Sequence, residues 1–505
     1  MACVVLRRSL LLPAFAALAG LPLGLAPAWA QGLPDARAAG LARLAARLRA
    51  LDADGLNPAD YAIPPDDMAA TDLAGYVDLI GRSAARALTD LLHGRVKSLP
   101  GRVDIVRDTA ALPLEPWLAE LAGSADPAGV LDRASLLHPD AAPLKQALVD
   151  ARARAAQSFT PIPGGAALSD TIEPGAWDSV KIPLLRARML LTDPGVRRDG
   201  GNNYDASLVE AVKRFQAAEA LEADGRIGRI TLAALNRPLA AQVAQLRAAL
   251  DMRRAMAAAP VERHIEVNVA HQRLAVIEAG RNVLEMNVIV GKPARPTPML
   301  RVRLTAIQFN PRWGVPLRNM KEDLLPRFRR DPRAMMEKGF RVYSVVNGQA
   351  VEVDPTTISW SRINPDRIPY IIRQDAGEAN ALGRIKFVIP NSDDIFMHDT
   401  PDRHLFRRPD RAFSSGCIRL EKPMELLEIA MTGMPGFDRP RIEKLLADRV
   451  TAGTSVRQVM PVRLHYTTAV VEAGRVALRP DIYGLDEAYA RALDAPPRMA
   501  SAGVR

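Results

Sequence analysis

The sequence predicts a multidomain α+β chain: a helical N-terminal scaffold, a small three-helix module, and a mainly-β domain that carries an inserted subdomain. Three observations predict it. Apolar residues recur at helical spacing in Ala/Leu/Arg-rich runs up to about residue 157. Between residues 178 and 240, three short helical patterns surround an Asp-Gly turn. From Ile265 the apolar period falls to two, lapses between about 310 and 381, and then returns. A chain of 505 residues accommodates about three domains. With 48% apolar and 25% charged residues it is neither a wholly disordered chain nor a multi-span membrane protein.

Residues 1–30 read as a signal peptide. Arg7-Arg8 is a basic start, Leu10 to Leu25 an apolar run, and Ala28-Trp29-Ala30 a cleavage site. The rival is an uncleaved anchor, against which Pro13, Pro22 and Pro27 argue. The residues around Arg7-Arg8 match a twin-arginine signal poorly, so general secretion is the expected route and twin-arginine export the alternative. Cleavage after Ala30 removes Cys3, one of only two cysteines, and leaves Cys417 as the single thiol. Two cysteines exclude a disulfide-rich scaffold and a four-cysteine zinc site. A lone thiol in an oxidising compartment is either a buried bystander or a reactive nucleophile. The net charge of +10 is carried mainly by arginine, since only ten of 67 basic residues are lysines. That balance suits an anionic partner (nucleic acid, membrane surface or anionic polymer) without choosing among them.

Residues 31–175 form the predicted helical scaffold, with helices over Ala36 to Leu51 and Ala69 to His93. His93 and His138 stand alone and read as structural or surface residues. Thr160 to Gly175 reads as a loop or boundary. In the module at 178–240, Leu184, Leu185, Met189 and Leu190 mark a first helix. Tyr204-Asp205 opens a second, with Leu208, Val212 and Phe215 on one face. Asp224-Gly225 and Gly228 turn the chain into a third near Thr231. In the β domain at 262–480, strands are expected over Ile265 to Val269, Arg273 to Ile277, Val288 to Val290 and Thr305 to Phe309, opening an antiparallel sheet. Arg384 to Ile389, Val462 to Val471 and Arg475 to Leu478 continue it. The stretch 311–380 interrupts it, and so long a block inside a sheet suits a lid over a site. Residues 481–505 are expected to be a tail.

The chemistry lies in Met397-His398-Asp399-Thr400 and, nineteen positions after His398, in Ser414-Ser415-Gly416-Cys417-Ile418-Arg419. His398 ends a strand-like run. Cys417 follows a Ser-Ser-Gly turn, whose backbone amides at Ser415, Gly416 and Cys417 can converge on one point. An amide cradle beside a thiol suits acyl transfer, the amides holding the developing oxyanion. A histidine in reach takes the thiol proton and later protonates the leaving amine. Arg419 is expected to lower the thiol pKa or bind a substrate carboxylate, against the plainer reading of a structural ion pair. His404 competes as base, although a structural or substrate-contacting role is favoured. A zinc site built from His398, His404 and Cys417 has the wrong spacing and no adjacent acid/base glutamate. No metal and no organic cofactor is expected.

This combination resembles the YkuD-type L,D-transpeptidase domain, whose signature sets a histidine 18 to 19 residues before a Ser-x-Gly-Cys turn. Ser415 stands where the commoner form has histidine, as in the larger YcbB-like (LdtD) branch. His398-Asp399-Thr400-Pro401, His404-Leu405-Phe406, Asn380-Ala-Leu-Gly383-Arg384-x-Lys386-Phe387, Asn310-Pro311-x-Trp313-x-Val-Pro316 and Asp481-Ile482-Tyr483-Gly484 are similar to that branch too. Phe215-Gln216, Leu221, Asp224-Gly225 and Gly228-x-x-Thr231 resemble a peptidoglycan-binding module. The resemblance implies Cys417 as nucleophile and His398 as general base and acid, with the insertion as a capping subdomain. It implies a periplasmic enzyme that attacks the L-centre carbonyl of meso-diaminopimelate in a tetrapeptide stem. D-Ala is released, and the thioester passes to an acceptor stem to make a 3–3 cross-link. The histidine would be oriented by a backbone carbonyl, so Asp399 is not expected to act through its carboxylate. Ser414, Arg419, His404, Trp313 and Tyr370 are the candidates for contact with substrate. Expected partners are donor and acceptor stems and other cell-wall synthases, with membrane contact only through an uncleaved signal segment. Alternatives are carboxypeptidase or D-amino-acid exchange through the same thioester, or a non-catalytic wall-binding scaffold. Nucleic-acid binding lacks any recognition motif and conflicts with export.

Overall fold

The structure is a computed structural model. It describes residues 34–496 except 100–101, 103, 105–108, 110–111, 165–169, 220, 255, 257–262, 437 and 473. The expected signal segment lies outside the described residues. Among the described residues no helix is long and apolar enough to cross a membrane.

The chain divides into two compact units. Among the described residues, the first comprises those up to His93 together with Pro113–Leu137. Its helices span Pro34–Arg49, Leu73–His93, Glu115–Gly123 and Pro127–Ser135. Leu44 and Leu48 at i, i+4 and Ile80 and Leu88 at i, i+8 are fully buried, the spacing that turns one face of a helix inward, and Val130 and Leu131 are fully buried too. Gly94–Leu112 and His138 onward belong to the second unit.

Within that second unit, helices Lys181–Leu190, Ala206–Ala218 and Arg229–Leu235 form the three-helix module. Asp205 caps the second of these, accepting from Leu208 N at 3.1 Å. Ile182, Leu185, Leu208, Val212, Ile227 and Leu235 make its core. The side-chain amide of Gln216, almost fully buried, holds the tight turn that follows. Its oxygen accepts from Gly225 N at 2.8 Å, and its nitrogen donates to Asp224 Oδ1 at 3.0 Å and Arg226 O at 2.9 Å.

Fifteen strands follow among the described residues: β1 Arg263–Asn268, β2 Arg273–Glu278, β3 Arg281–Gly291, β4 Leu300–Phe309, β5 Trp313–Gly314, β6 Phe340–Val346, β7 Gln349–Val353, β8 Tyr370–Gln374, β9 Ile385–Val388, β10 Met397–His398, β11 Ala412–Ser414, β12 Ile418–Leu420, β13 Ala452–His465, β14 Ala469–Glu472 and β15 Arg475–Leu478. Nine of them form one sheet in the order β11-β3-β12-β10-β9-β4-β13-β1-β2, and β3 also pairs with β2, so it joins both ends of the order. The sheet is mixed rather than antiparallel as expected. β1 runs parallel to β13, β10 to β12 and β11 to β3. Period-two alternation fixes which side chains face inward but not the direction of a neighbouring strand. Ile265, Val267, Val276, Val288, Ile307, Phe387, Met397, Ile418 and Leu420 fill the core beneath it.

The insertion builds its own four-stranded sheet, β5-β8-β6-β7, over helical turns that begin at Leu317. Two helices escaped the sequence reading. Ala240–Arg254 packs against Ala141–Ala155, and Leu485–Asp494, inside the expected tail, packs on Ala240–Arg254. The latter buries Leu485, Tyr489 and Leu493 at i, i+4 and i+8, and Tyr489 Oη donates to the fully buried Asp251 at 2.8 Å.

Candidate active site

The site lies on the face of β9, β10 and β12 that points away from the core. Met397 pairs with Phe387 on one side and with Ile418 on the other, and all three are fully buried. Side chains alternate across a strand, so the neighbouring positions share the opposite face. Lys386, His398 and Arg419 form one lateral row there. Phe396 and Cys417 form the next, since Ile418 N donates to Phe396 O at 3.0 Å. Cys417 and His398 thus share a face, one strand and two residues apart, which puts their Cα atoms roughly 8 Å from each other.

His398 is 4% exposed. Its Nδ1 lies 2.5 Å from the carbonyl oxygen of Asp399, which can only accept. Nδ1 therefore carries the proton, and the Nε2 lone pair is left available. Burial, and then the Arg419 charge, push the imidazole pKa down to about 3, while the Asp399 and Leu382 carbonyls pull the other way. The ring is neutral at ordinary pH. The Asp399 carboxylate never meets the imidazole. It accepts from Arg384 N at 2.9 Å, Thr400 N at 2.7 Å and Arg403 at 2.5 Å, so it ties the start of β9 to the loop that follows β10.

Cys417 is partly exposed and is a free thiol, with Sγ 3.8 Å from Asp394 O. Burial raises its pKa, opposed by the Phe396 amide and by the charges of Lys386 and Arg419. Thiol and imidazole therefore both rest in their neutral forms. Gly416 adopts φ +120°, a conformation that L side chains rarely take, and a Cβ there would meet Ile395 Cδ1 at 3.0 Å.

The turn is clamped from several directions. Ser414 Oγ donates to Cys417 O at 2.6 Å and accepts from Gly416 N at 3.1 Å. The Gly416 amide is thus engaged, and only the Ser415 and Cys417 amides remain of the three expected to cradle an oxyanion. Thr297 Oγ1 donates to Gly416 O at 2.7 Å and accepts from Gly291 N at 2.9 Å. Tyr483 Oη accepts from Thr297 N at 3.0 Å and donates to Gly291 O at 2.7 Å. Arg295, 2% exposed, donates to Ser415 Oγ at 2.6 Å and pairs with Glu322 and Asp323 of the insertion. Asn319 Nδ2 also reaches Ser415 Oγ, at 3.0 Å. Glu322 and Asp323 lie in a π-helical turn, Met320–Leu324, a geometry that recurs at functional sites.

Of the other residues singled out from the sequence, Arg419 joins the face but is held by Asp402 at 2.9 Å, the structural ion pair weighed against a substrate role. His404 lies exposed on the 3₁₀ turn Arg403–Arg407 and is not brought to the thiol. Trp313 and Tyr370 pack in the insertion's own core, against Phe340 and Trp360 respectively, because a small four-stranded sheet needs large rings to fill it. Among the described residues no group of three or more His, Cys, Asp or Glu side chains could hold a metal ion. Sequence reasoning missed Arg295, Thr297, Asn319 and Lys386 as site residues. A run with Pro293, Pro296 and Pro298 around Arg295 was the available signal for a shaped loop.

Comparison with known proteins matches residues 262–440 to the YkuD family model, an L,D-transpeptidase catalytic domain. Residues 190–235 match a "Putative peptidoglycan binding domain" and residues 23–148 a "Scaffold domain". A curated relative from Haemophilus influenzae, described as a "Putative L,D-transpeptidase", is 41% identical over 222 residues, 44% of this chain. The match spans 44% of that relative's length. Among solved structures, an L,D-transpeptidase from Mycobacterium smegmatis is 13% identical, covering 40% of this chain and 58% of the other, at a TM-score of 0.21. The L,D-transpeptidase (residues 123–326) from Xylanimonas cellulosilytica is 14% identical, covering 61% of this chain and 100% of the other, at a TM-score of 0.19. The chain carries a YkuD-type L,D-transpeptidase catalytic domain and a peptidoglycan-binding domain.

Proposed function

We propose that the protein is an exported L,D-transpeptidase that forms 3–3 cross-links in peptidoglycan through a thioester on Cys417. One observation carries this reading: Cys417 and a buried, neutral His398, its Nδ1 anchored on the Asp399 carbonyl, face the same side of the parallel β10–β12 pair. His398 Nε2 takes the proton of Cys417 as sulfur attacks the L-centre carbonyl of meso-diaminopimelate. The oxyanion is held by the Ser415 and Cys417 amides. Collapse breaks the amide C–N bond, the imidazolium returns its proton to the leaving nitrogen, and D-Ala departs. The side-chain amine of an acceptor stem then attacks the thioester, His398 accepts its proton, and the thiol is regenerated. No metal or organic cofactor takes part in these steps. The peptidoglycan-binding domain and the basic excess suit an anionic wall in an extracytoplasmic compartment, the periplasm in this reading.

The test is incubation of the full chain with disaccharide-tetrapeptide, followed by mass spectrometry. Loss of D-Ala together with a dimer mass is expected. Loss without a dimer assigns the thioester to hydrolysis instead. D-Ala release that persists in Cys417→Ala overturns the mechanism.

A further inference from the structure

The row that holds His398 contains two cations, and they are placed differently. Arg419 is neutralised by Asp402 at 2.9 Å. Lys386, opposite His398 on β9, is partly buried, and among the described residues no carboxylate stands within ion-pair distance of it. Its Nζ instead lies 3.9 Å from the centre of the Phe396 ring, so the side chain leans out of its own row into that of Cys417. The Phe396 ring also packs against His398, 5.6 Å between centres. Burial lowers the pKa of the ammonium, while the thiolate form of Cys417 and the Asp394 carboxylate, beyond ion-pair distance, act to raise it. A partly desolvated cation resting on an aromatic face, beside a thiol and without a counter-ion, is arranged to receive an anion.

We propose that Lys386 is a substrate-contacting residue that binds the free terminal carboxylate of the acyl-donor peptide and so restricts the reaction to stems that end in a free acid. The proposal rests on the reading of Cys417 as nucleophile. The chemistry fixes which carboxylate is meant. In a peptide cleaved at its last amide, the terminal carboxylate carbon stands three bonds from the carbonyl carbon that sulfur attacks. A cation in the row of Cys417 is at the right range for that group. Charge-assisted bonding of an ammonium to a carboxylate is strong when both are partly desolvated. The leaving residue carries the carboxylate away, so the contact aligns the donor and is released with the product.

The test uses the full chain and two tetrapeptide stems that differ only at the C-terminus, free acid or amide. Thioester formation and D-Ala or D-alaninamide release are followed by mass spectrometry. The wild type is expected to show a KM at least tenfold lower for the acid. Lys386→Met is expected to raise KM for the acid to the level of the amide, with kcat changed far less and the melting temperature preserved. Lys386→Arg keeps the preference, since it keeps the charge. Equal use of acid and amide by the wild type overturns the proposal without any variant. It is also overturned if Lys386→Met still prefers the acid, or if it slows both stems equally, which assigns Lys386 to the thiol alone. None of these outcomes touches the thioester reading, which fails only if D-Ala release survives Cys417→Ala.

Discussion

Two tight turns in this protein use similar local chemistry and are held in different ways. In the three-helix module the Asp224-Gly225 turn, with Gly225 at φ +77°, is held by two buried side chains of the module itself: Gln216 from the preceding helix, and Tyr204, whose Oη donates to Gly225 O at 2.6 Å. In the β domain the Ser414–Cys417 turn, with Gly416 at φ +120°, is held by Thr297, Arg295 and Asn319 in addition to its own Ser414. The first turn is local: a folded module brings all its partners. The second is fixed only when a proline-marked loop, the insertion and the sheet are all in place. A structural turn needs stability, for which a local brace suffices. A turn that must hold a thiol and two amides in a fixed geometry gains from braces in several directions, since positioning errors near 1 Å cost rate steeply.

The sharpest way to break this comparison is at the reacting groups. His398→Gln is expected to slow thioester formation by about 10²- to 10⁴-fold, the usual worth of a positioned base. Gln216→Leu should leave that rate on soluble stems unchanged. Mass spectrometry of the acyl-enzyme over time measures both, and an equal effect would abolish the distinction.

Next in size is the brace. Thr297→Val keeps the shape but leaves Gly416 O and Gly291 N without their hydroxyl, each a loss of about 1–3 kcal/mol if no water replaces it. Denaturant unfolding should show the destabilisation, and thioester formation should slow with it. Gln216→Ala should cost about as much stability by the same argument, without slowing the chemistry.

Smaller effects are expected from the glycines. Gly416→Ala and Gly225→Ala each force a residue with a Cβ into left-handed backbone, at about 1–3 kcal/mol. Each new Cβ would meet a side-chain methyl at 3.0 Å, Ile395 Cδ1 and Val209 Cγ1 respectively. Similar losses in melting temperature are expected, with turnover impaired only at Gly416.

The smallest effect is one of acid. The module contains no histidine, whereas the β domain and the helical segment packed with it hold four, one buried and three partly buried, whose pKa values desolvation depresses: His398 and His271 to about 3, His465 and His138 to about 4. A depressed histidine contributes stability above its unfolded pKa of about 6.5 that is lost as pH falls toward the folded value. The denaturant midpoint of the full chain should therefore fall between pH 7 and pH 5, and His398→Gln should make that fall shallower. Thioester formation, by contrast, should show no inflection near pH 6.5 and should rise on the alkaline side, because the base is already neutral and the thiol pKa is raised.

The same difference explains what could be read from the sequence. The module's helices, the Asp205 cap and the Gly225 turn are local, and periodicity and turn chemistry reach them. The alternation of Ile265, Val267 and Val269 revealed β1, and the spacing of His398 and Cys417 drew attention to the two residues that the sheet brings to one face. Strand direction was not legible, because parallel pairing joins β10 to β12 across an intervening loop. Nor was the insertion's sheet, where β7 is exposed along nearly its whole length and carries no apolar alternation. Arg295 and Thr297 look like ordinary loop residues until the fold sets them against Ser415 and Gly416. Nor does the sequence show that Trp313 and Tyr370, candidates for contact with substrate, also pack against Phe340 and Trp360 in the insertion's own core.

The Tyr483 hydroxyl, lodged between Thr297 N and Gly291 O, also sets an order of events. A polypeptide made N-terminus first presents Cys417 well before Tyr483 emerges. Until then Thr297 lacks the acceptor for its amide, and the loop that props up Gly416 is incomplete. Stacking of Tyr483 on Tyr466, 5.4 Å between ring centres, and the bond from Tyr466 Oη to Asp481 seat the late-arriving segment. The bracing of the thiol's turn is therefore completed only once the segment around Tyr483 has been made and has folded back onto the sheet.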